Sequence, residues 1–257
     1  MTKSLFIAFL FLPILSSAQD CSEELLVPFY DGEELTYELS YNWGFLWAHA
    51  GRVNFTVTDT VYDSKPAWSF ESYGTSLRHW DWFYKVRSRY ASVATKTLES
   101  LEFSRIGQEG SNFYNREYSF SQNVAQMYYL DDDGARRSKK IQCPPCSHDV
   151  LTAIYYCRSI PFDLYVEDDL ISLNLVLDGA LHRSHLRYVG KESWQNPNTD
   201  IIYDCIKFKP KLIAGTVFSE GENMTVYVTD DDKRIPVYIE TELVVGKAKV
   251  FLIENEE

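Results

Sequence analysis

Strict alternation of apolar and polar residues constrains this sequence more than any other feature. In the segment ELTYELSYNW (34–43), every second side chain is apolar. The apolar residues are Leu35, Tyr37, Leu39, Tyr41 and Trp43. Because successive side chains of a β-strand point to opposite faces, this pattern predicts a strand with one buried face.

The same alternation recurs along most of the chain. It predicts further strands at 53–61, 67–73, 82–93, 97–106, 113–120, 124–130, 170–177, 181–191, 201–209, 223–229, 234–243 and 247–253. One segment, 148–159, has helical spacing, and Ser147 with Asp149 can cap its first turn. Many antiparallel strands with short links and a single helix predict an all-β fold. A sheet of this size manages its edges by curving strongly into a barrel or half-barrel.

The first 18 residues have the features of a signal peptide. A basic residue precedes a short apolar run from Leu5 to Leu15, and Ser16 and Ala18 occupy the small-residue positions of a cleavage site. We therefore expect cleavage before Gln19 and export to the periplasm or the cell exterior, as a soluble protein. No composition shift divides the rest, so residues 19–257 are predicted to form one domain.

Charge and composition exclude several classes of function. The formal net charge of −12 disfavours nucleic acids and anionic membrane surfaces. No segment after the signal peptide is apolar for long enough to span a membrane. The sequence contains no G-x-S-x-G, P-loop or G-x-G-x-x-G motif, so we expect neither a cofactor nor a catalytic set.

Five cysteines in an exported protein make disulfides an expectation, although the sequence does not choose the pairs. They are Cys21, Cys143, Cys146, Cys157 and Cys205. Cys143 and Cys146 form a Cys-Pro-Pro-Cys pair just before the predicted helix, as the reactive pair of a thiol–disulfide oxidoreductase would. A thioredoxin-type enzyme needs a parallel βαβ unit around that pair, whereas antiparallel strands flank it here. A structural role is therefore favoured, with redox catalysis as the alternative.

The metal-binding patterns are weak. His182 and His185 lie at odd spacing on a predicted strand, so they point to opposite faces and cannot share a metal ion. The acidic triplets 131–133 and 230–232 could bind calcium, but neither has the ligand spacing of an EF-type loop. Asp and Gly also favour hairpin turns, so both triplets are interpreted as turns and no metal site is predicted.

The stretch SLRHWDWFYKVRSRYAS (76–92) is the most unusual in the chain. Read as a strand, it places aromatic side chains on one face and basic ones on the other. The candidate ligand or partner face comprises Trp80, Trp82, Tyr84, Arg87 and Arg89. The alternative is that the basic side chains pair with acids on neighbouring strands, such as Glu102.

Taken in order, several segments resemble the exported bacterial family known as domain of unknown function 3108. They are GEELTYELSYNWGFLWAHAG (32–51), DWFYKVRSRYAS (81–92), CSHDVLTAIYYCR (146–158), RYVGKE (187–192), YDCIKFKP (203–210) and MTVYVTDDDKRIPVYIET (224–241). The resemblance implies a large antiparallel β-barrel-like or half-barrel fold in a bacterial envelope protein. It implies no activity and no catalytic residues. Ser88 stands where the family pattern usually has an acidic residue.

These observations favour a non-enzymatic envelope protein that binds an apolar or amphipathic ligand, or a protein partner, in or on a curved sheet. One alternative is a thiol–disulfide oxidoreductase that uses Cys143 and Cys146. The other is a purely structural or assembly scaffold for the envelope.

Overall fold

Within the described residues, fifteen strands hydrogen-bond into a single sheet, which confirms the all-β class. The computed structural model describes residues 25–43, 46–121, 123–131, 133–213, 221–244 and 246–253. The strands are β1 (Glu34–Trp43), β2 (Leu46–Tyr62), β3 (Lys65–Ser76), β4 (Val86–Thr95), β5 (Ser100–Glu109), β6 (Asn112–Ser121), β7 (Val124–Leu130), β8 (Arg136–Gln142), β9 (Ser147–His148), β10 (Leu170–Leu177), β11 (Ala180–Gln195), β12 (Ile202–Pro210), β13 (Met224–Thr229), β14 (Pro236–Glu242) and β15 (Lys247–Ile253).

Neighbours in the chain are mostly neighbours in the sheet. The sheet order is β8-β7-β6-β5-β4-β3-β2-β1-β15-β14-β13-β12-β11-β10-β9. Two runs of consecutive strands therefore meet where β1 pairs antiparallel with β15. The two-residue strand β9 runs parallel to β10, and the other pairs of described strands are antiparallel. Short links between successive strands produce this arrangement, because an antiparallel neighbour needs only a tight turn.

The sheet curls strongly without closing, as predicted for a half-barrel. The turn between β10 and β11 contacts side chains of β5, β6 and β7 in the other run of strands. Asp178 in this turn accepts hydrogen bonds from Arg105 and Arg116, on β5 and β6. The amide of Gly179 donates to the hydroxyl of Tyr118 at 3.2 Å. Side chains, rather than a backbone ladder, hold the two sides of the half-barrel together.

Two helices accompany the sheet, α1 (Asp81–Tyr84) and α2 (Val150–Ser159). The predicted helix is α2, which begins two residues later than expected because Asp149 is its N-cap. The fully buried carboxylate of Asp149 accepts from the amides of Leu151 and Thr152 and from the hydroxyls of Ser92 and Ser100. One carboxylate thus starts the helix and fixes it to β4 and β5. No helix in the described ranges is long and apolar enough to cross a membrane.

Helix α2 lies between two apolar cores that fill the concave side. Leu151 and Tyr155 of α2 belong to the first core, which lies against β2 to β8. The ring of Tyr155 stacks on that of Phe70, with 3.9 Å between centroids. The second core lies against β10 to β13 and includes Ile160 and Phe162, just after α2. The helix therefore occupies the space that a hollow barrel would leave open.

Arg158, in the last turn of α2, ties three distant segments together. It is 2% exposed, and its guanidinium forms a two-bond ion pair with Glu33, which is 3% exposed. The same group donates to the carbonyl oxygens of Pro28, Lys233 and Arg234, at 3.0, 2.8 and 3.1 Å respectively. The helix, the segment before β1 and the β13–β14 turn are therefore joined by one buried cation.

The structure departs most from the prediction at one predicted strand and at two strands that were not predicted. The strand predicted at 82–93 begins only at Val86, because the preceding residues form a helical turn. Strands β8 and β9 were not predicted. The first five residues of β8 are all exposed, so the sequence there lacks the alternation that a half-buried strand shows.

Asp131 and Asp133 of the first acidic triplet, and the second triplet 230–232, lie between paired strands, as the turn interpretation expects. Asp131 accepts hydrogen bonds from the amides of Asp133 and Ala135 and pairs with Arg137, whereas Asp132 lies outside the described residues. Asp231 accepts from the amides of Lys233 and Arg234. Pro236 is the first residue of β14, where the absence of an N–H is tolerated.

Replacement of Arg158 tests its structural role. Arg158→Met leaves the Glu33 carboxylate buried without its partner, so we expect the free energy of unfolding to fall by about 3–5 kcal/mol. Urea denaturation followed by circular dichroism measures it. The control is Arg89→Met, which breaks a pair with Glu71 whose side chains are 52% and 46% exposed, and which should cost less than about 1 kcal/mol. Similar losses in both variants would contradict the role of Arg158.

His148 makes stability depend on pH. Its ring is 4% exposed and stacks on Tyr156, and burial lowers its pKa from 6.5 to about 4. Between these two pH values, His148 is therefore protonated in the unfolded chain and neutral in the folded chain. This stability is fully present above pH 6.5 and is lost as the pH falls towards 4.

Comparison with His148→Phe isolates this contribution, because the variant keeps an aromatic ring at that position. From pH 7.5 to 4.5, wild type should lose about 2.5 kcal/mol more stability than His148→Phe in urea denaturation. An equal loss in the two proteins would show that His148 is not the titrating group.

Candidate functional site

The candidate site is a short helical segment between β3 and β4, here called the aromatic turn (residues 78–84). A 3₁₀ turn, Arg78–Trp80, leads directly into α1. The Asp81 carboxylate shapes this segment, because it accepts from the Ser76 hydroxyl at 2.6 Å and from Arg87 at 2.8 Å. The chain is thereby folded into a turn where alternation predicted a strand.

Helical spacing sorts the aromatic side chains differently from the strand prediction. Trp80 and Tyr84 are four residues apart and share a face. Their polar atoms, Trp80 Nε1 and Tyr84 Oη, are buried and have no hydrogen-bond partner among the described residues. Trp82 is 72% exposed and Phe83 46% exposed, on the solvent side. The predicted common face of Trp80, Trp82 and Tyr84 was therefore wrong for Trp82.

The two predicted arginines have different environments. Arg87 belongs to the site, because it donates to the Asp81 carboxylate and to the hydroxyl and carbonyl oxygens of Ser76. Arg89 forms an exposed ion pair with Glu71 on the neighbouring strand. That pair supports the cross-strand alternative for Arg89, with Glu71 as the acid. Glu102 instead accepts a hydrogen bond from the hydroxyl of Tyr62.

A polar layer lies on the concave face beside the aromatic turn, centred on Arg105 of β5. Arg105 is 8% exposed and donates to Glu109 at 2.7 Å and to Asp178 at 3.2 Å. Its guanidinium carbon lies 3.7 Å from the ring centroid of Tyr114. The Nε of Arg105 is buried without a partner in the described part of the chain. It is the third unpaired buried donor of this region.

Glu109 connects the polar layer to the aromatic turn. It accepts hydrogen bonds from the hydroxyls of Ser88 and Tyr90, at 3.0 and 2.9 Å. The ring of Tyr84 lies against Gly110, where an added Cβ would be 2.6 Å from Tyr84 Cε2. Gly110 has φ +61°, so both its backbone conformation and the ring beside it favour glycine. The hairpin tip after β5 therefore packs directly on Tyr84.

Burial keeps the tyrosines of this region protonated. Burial is the main cause of the raised pKa of Tyr84, and the charge of Glu109 adds to it. The pKa of Tyr90 is raised chiefly by burial as well. At neutral pH both hydroxyls are therefore hydrogen-bond donors rather than nucleophiles. The arrangement can therefore bind an acceptor group.

Sequence reasoning missed Arg105, Glu109 and Asp178. Arg105 and Phe103 point to the same side of β5, so alternation alone would have placed Arg105 on the concave face. Nothing local in the sequence could have indicated Asp178, because its contact with Arg105 depends on how far the sheet curls.

The free thiols of the described residues are buried or half-buried. Cys143, Cys157 and Cys205 are free cysteines, so Cys143 is not joined to Cys146. Burial raises the pKa of Cys143, and it raises that of Cys157 and of Cys205 to about 12. Because the thiolate is the reactive form, these thiols are poor nucleophiles. Cys21 lies outside the described residues.

No group of three or more potential metal ligands occurs in the described ranges. His185 instead pairs with Glu222 at 2.8 Å, and His182 contacts the carbonyl of Leu177. Arg187 also binds Glu222 and is the main reason that the pKa of this carboxyl is lowered to about 2.

Two shallow clefts lie elsewhere on the surface. One, of about 240 Å³, is lined by residues that include Trp47, Lys249 and Pro197. The other, of about 400 Å³, lies beside His182 and Lys211. Neither includes a residue of the aromatic turn.

Comparison with known proteins identifies the fold and the family. A crystal structure of a β-barrel-like protein of domain of unknown function DUF1849 from Brucella abortus superposes with a TM-score of 0.57. The similarity covers 86% of this chain and 95% of that one, at 4% sequence identity, so it establishes the fold alone. No curated protein matches the sequence. The family model described as protein of unknown function (DUF3108) matches residues 36–253, and the chain therefore belongs to the DUF3108 family.

Proposed function

We propose that this chain is an exported, non-enzymatic binding protein whose aromatic turn takes an amphipathic ligand. One observation carries the proposal: the aromatic turn and Arg105 next to it contain three buried donors without described partners, and the same turn exposes two aromatic rings. The donors are Trp80 Nε1, Tyr84 Oη and Arg105 Nε, and the rings are those of Trp82 and Phe83.

The chemistry of these groups favours an acceptor on the ligand. Trp80 Nε1 and Arg105 Nε can only donate, and Tyr84 stays protonated because its pKa is raised. A buried donor left without a partner costs about 1–3 kcal/mol, and a carboxylate or other oxygen-rich head group would recover part of that cost. The apolar part of the ligand would cover Trp82 and Phe83, which are too exposed to be part of a core.

Binding is proposed at the end of the half-barrel and not inside it. Helix α2 and the two apolar cores occupy the concave side, with Leu151 and Phe162 fully buried. An apolar ligand carried within the sheet would have to displace these residues. Binding at the aromatic turn leaves α2 and both cores in place, and only the turn itself has to open for a ligand to reach the buried donors.

The oxidoreductase alternative is less well supported. The buried, free thiol of Cys143 has a raised pKa, whereas a reactive cysteine needs a lowered one. The scaffold alternative is compatible with the same surface if the amphipathic ligand is part of a protein.

Laurate is a suitable probe, because it combines a carboxylate with an apolar chain. We expect calorimetric titration to detect binding to wild type, and the dissociation constant to rise about tenfold in Trp82→Ala through lost apolar contact. Tyr84→Phe removes one donor and should raise the constant about fivefold.

Leu164→Ala is the matched control, since Leu164 is 78% exposed and lies outside the aromatic turn. Its affinity for laurate should equal that of wild type. Equal weakening in Leu164→Ala and Trp82→Ala, or no binding to wild type, would refute the proposed site. Native mass spectrometry of gently purified protein then identifies the natural ligand.

We also propose that Cys21 and Cys146 form a disulfide after export, since the other three cysteines carry free thiols. The two thiols exchange with a disulfide of an envelope oxidoreductase, which takes up the two electrons and two protons and is released as a dithiol. Mass spectrometry of the exported protein, digested without reduction, should detect peptides of Cys21 and Cys146 linked to each other. The same spectrum should show Gln19 at the N-terminus. A disulfide between Cys143 and Cys146 would instead contradict this proposal and support the oxidoreductase alternative.

A further inference from the structure

Strand β8 is an edge strand with an unusual charge. It is the last strand of the sheet order at its end, so one side of its backbone has no neighbouring strand in the described sheet. Residues 136–140 are exposed, and four of these five are basic. This edge is therefore positively charged, whereas the protein as a whole has a net charge of −12.

The pairing of β8 with β7 determines which backbone groups of β8 point towards β7 and which point away from it. Hydrogen bonds from Cys143 N to Asn123 O and from Asp131 N to Ala135 O bracket the antiparallel ladder. Since hydrogen-bonded pairs alternate, residues 137, 139 and 141 bond to β7. Residues 136, 138, 140 and 142 therefore direct their backbone N–H and C=O groups away from it. These groups form an open template for one more strand.

Two of the four cations on β8 are available to a partner. Arg136 pairs with Glu117 at 3.1 Å, and Arg137 pairs with Asp131 at 2.7 Å. Lys139 and Lys140 form no ion pair in the described part of the chain, and alternation places them on opposite faces of the strand. Gly179 of the β10–β11 turn lies near the stem of Lys139.

Charge decides which occupant fits. Lysine on an edge strand opposes edge-to-edge pairing with a second copy of the same chain, because like charges would face each other. The same charges attract acidic side chains on a different strand. The charges of this edge therefore disfavour pairing with a second copy of the chain and favour pairing with an acidic segment.

We propose that β8 binds an extended acidic segment of a protein partner by strand addition. The segment hydrogen-bonds to the outward backbone groups of residues 136, 138, 140 and 142. It places acidic side chains opposite Lys139 and Lys140. This interaction surface is separate from the aromatic turn and goes beyond the proposed function.

The probe is a fluorescently labelled ten-residue peptide of alternating valine and threonine with two adjacent glutamates at its centre. Fluorescence anisotropy should detect saturable binding that weakens with salt. A peptide with two lysines in place of the glutamates, and one with a central proline, should not bind. Failure of the glutamate peptide to bind at millimolar concentration overturns the proposal.

Two variants separate the backbone contribution from the charge contribution. Ser138→Pro removes an outward N–H without removing a bond to β7, and should weaken peptide binding at least about tenfold. Lys140→Glu should weaken it about fivefold. Lys65→Glu is the control, because Lys65 is also an exposed strand lysine and the substitution changes the net charge equally. Circular dichroism reports whether each variant folds, and Lys140→Glu keeps the test valid if Ser138→Pro does not.

The outcomes distinguish this edge from other sites. Equal affinities of Lys140→Glu and Lys65→Glu overturn the proposal. So does self-association of wild type that Ser138→Pro abolishes, since the occupant would then be a second copy. Loss of peptide binding in Trp82→Ala but not in Ser138→Pro would assign the peptide to the aromatic turn. Laurate binding is unaffected by Ser138→Pro, so failure of either proposal leaves the other standing.

Discussion

The buried guanidinium of Arg158 is the interaction on which the interior of this fold depends. A cation removed from water requires hydrogen-bond acceptors in every direction, and Arg158 finds them in Glu33 and in three backbone carbonyls. Those acceptors come from the segment before β1 and from the β13–β14 turn. Because they must converge on one helix end, the position of α2 is specified from both halves of the sheet. Apolar packing alone is less directional and would specify the position of α2 less strictly.

Once α2 is fixed, the rest of the interior follows. Asp149 at its other end binds Ser92 and Ser100 on β4 and β5, so both ends of the helix are attached through charged groups. The apolar residues between them join the two cores. Polar groups that remain on the concave face gather around Arg105, beside the aromatic turn. The proposed site lies where the core ends, in a segment that has both unpaired donors and exposed rings.

The sequence predicted the strands well wherever one face of the sheet is buried. Residues 170–177 and 247–253 match their predicted ranges, because alternation there reflects real burial. It failed at β8, whose first five residues are exposed, and at Trp82, where Asp81 binds Ser76 and Arg87 and bends the chain. The stretch 78–84 was predicted as part of a strand, so its aromatic residues were assigned to the wrong faces, since helical and strand spacing group them differently. Asp178 could not be predicted, because curvature brings it to Arg105.

The pairing of β1 with β15 has a consequence for how the chain folds. Most neighbouring strands are also consecutive in the chain, so each run of strands can form from local contacts. The exception pairs Thr36 with Ile253, across nearly the whole described chain. Closing so long a loop is entropically costly, and a high sequence separation of contacts slows folding. The two runs of strands can therefore form early, whereas their joint must await the synthesis of β15. Until then, β1 presents an open edge to its surroundings.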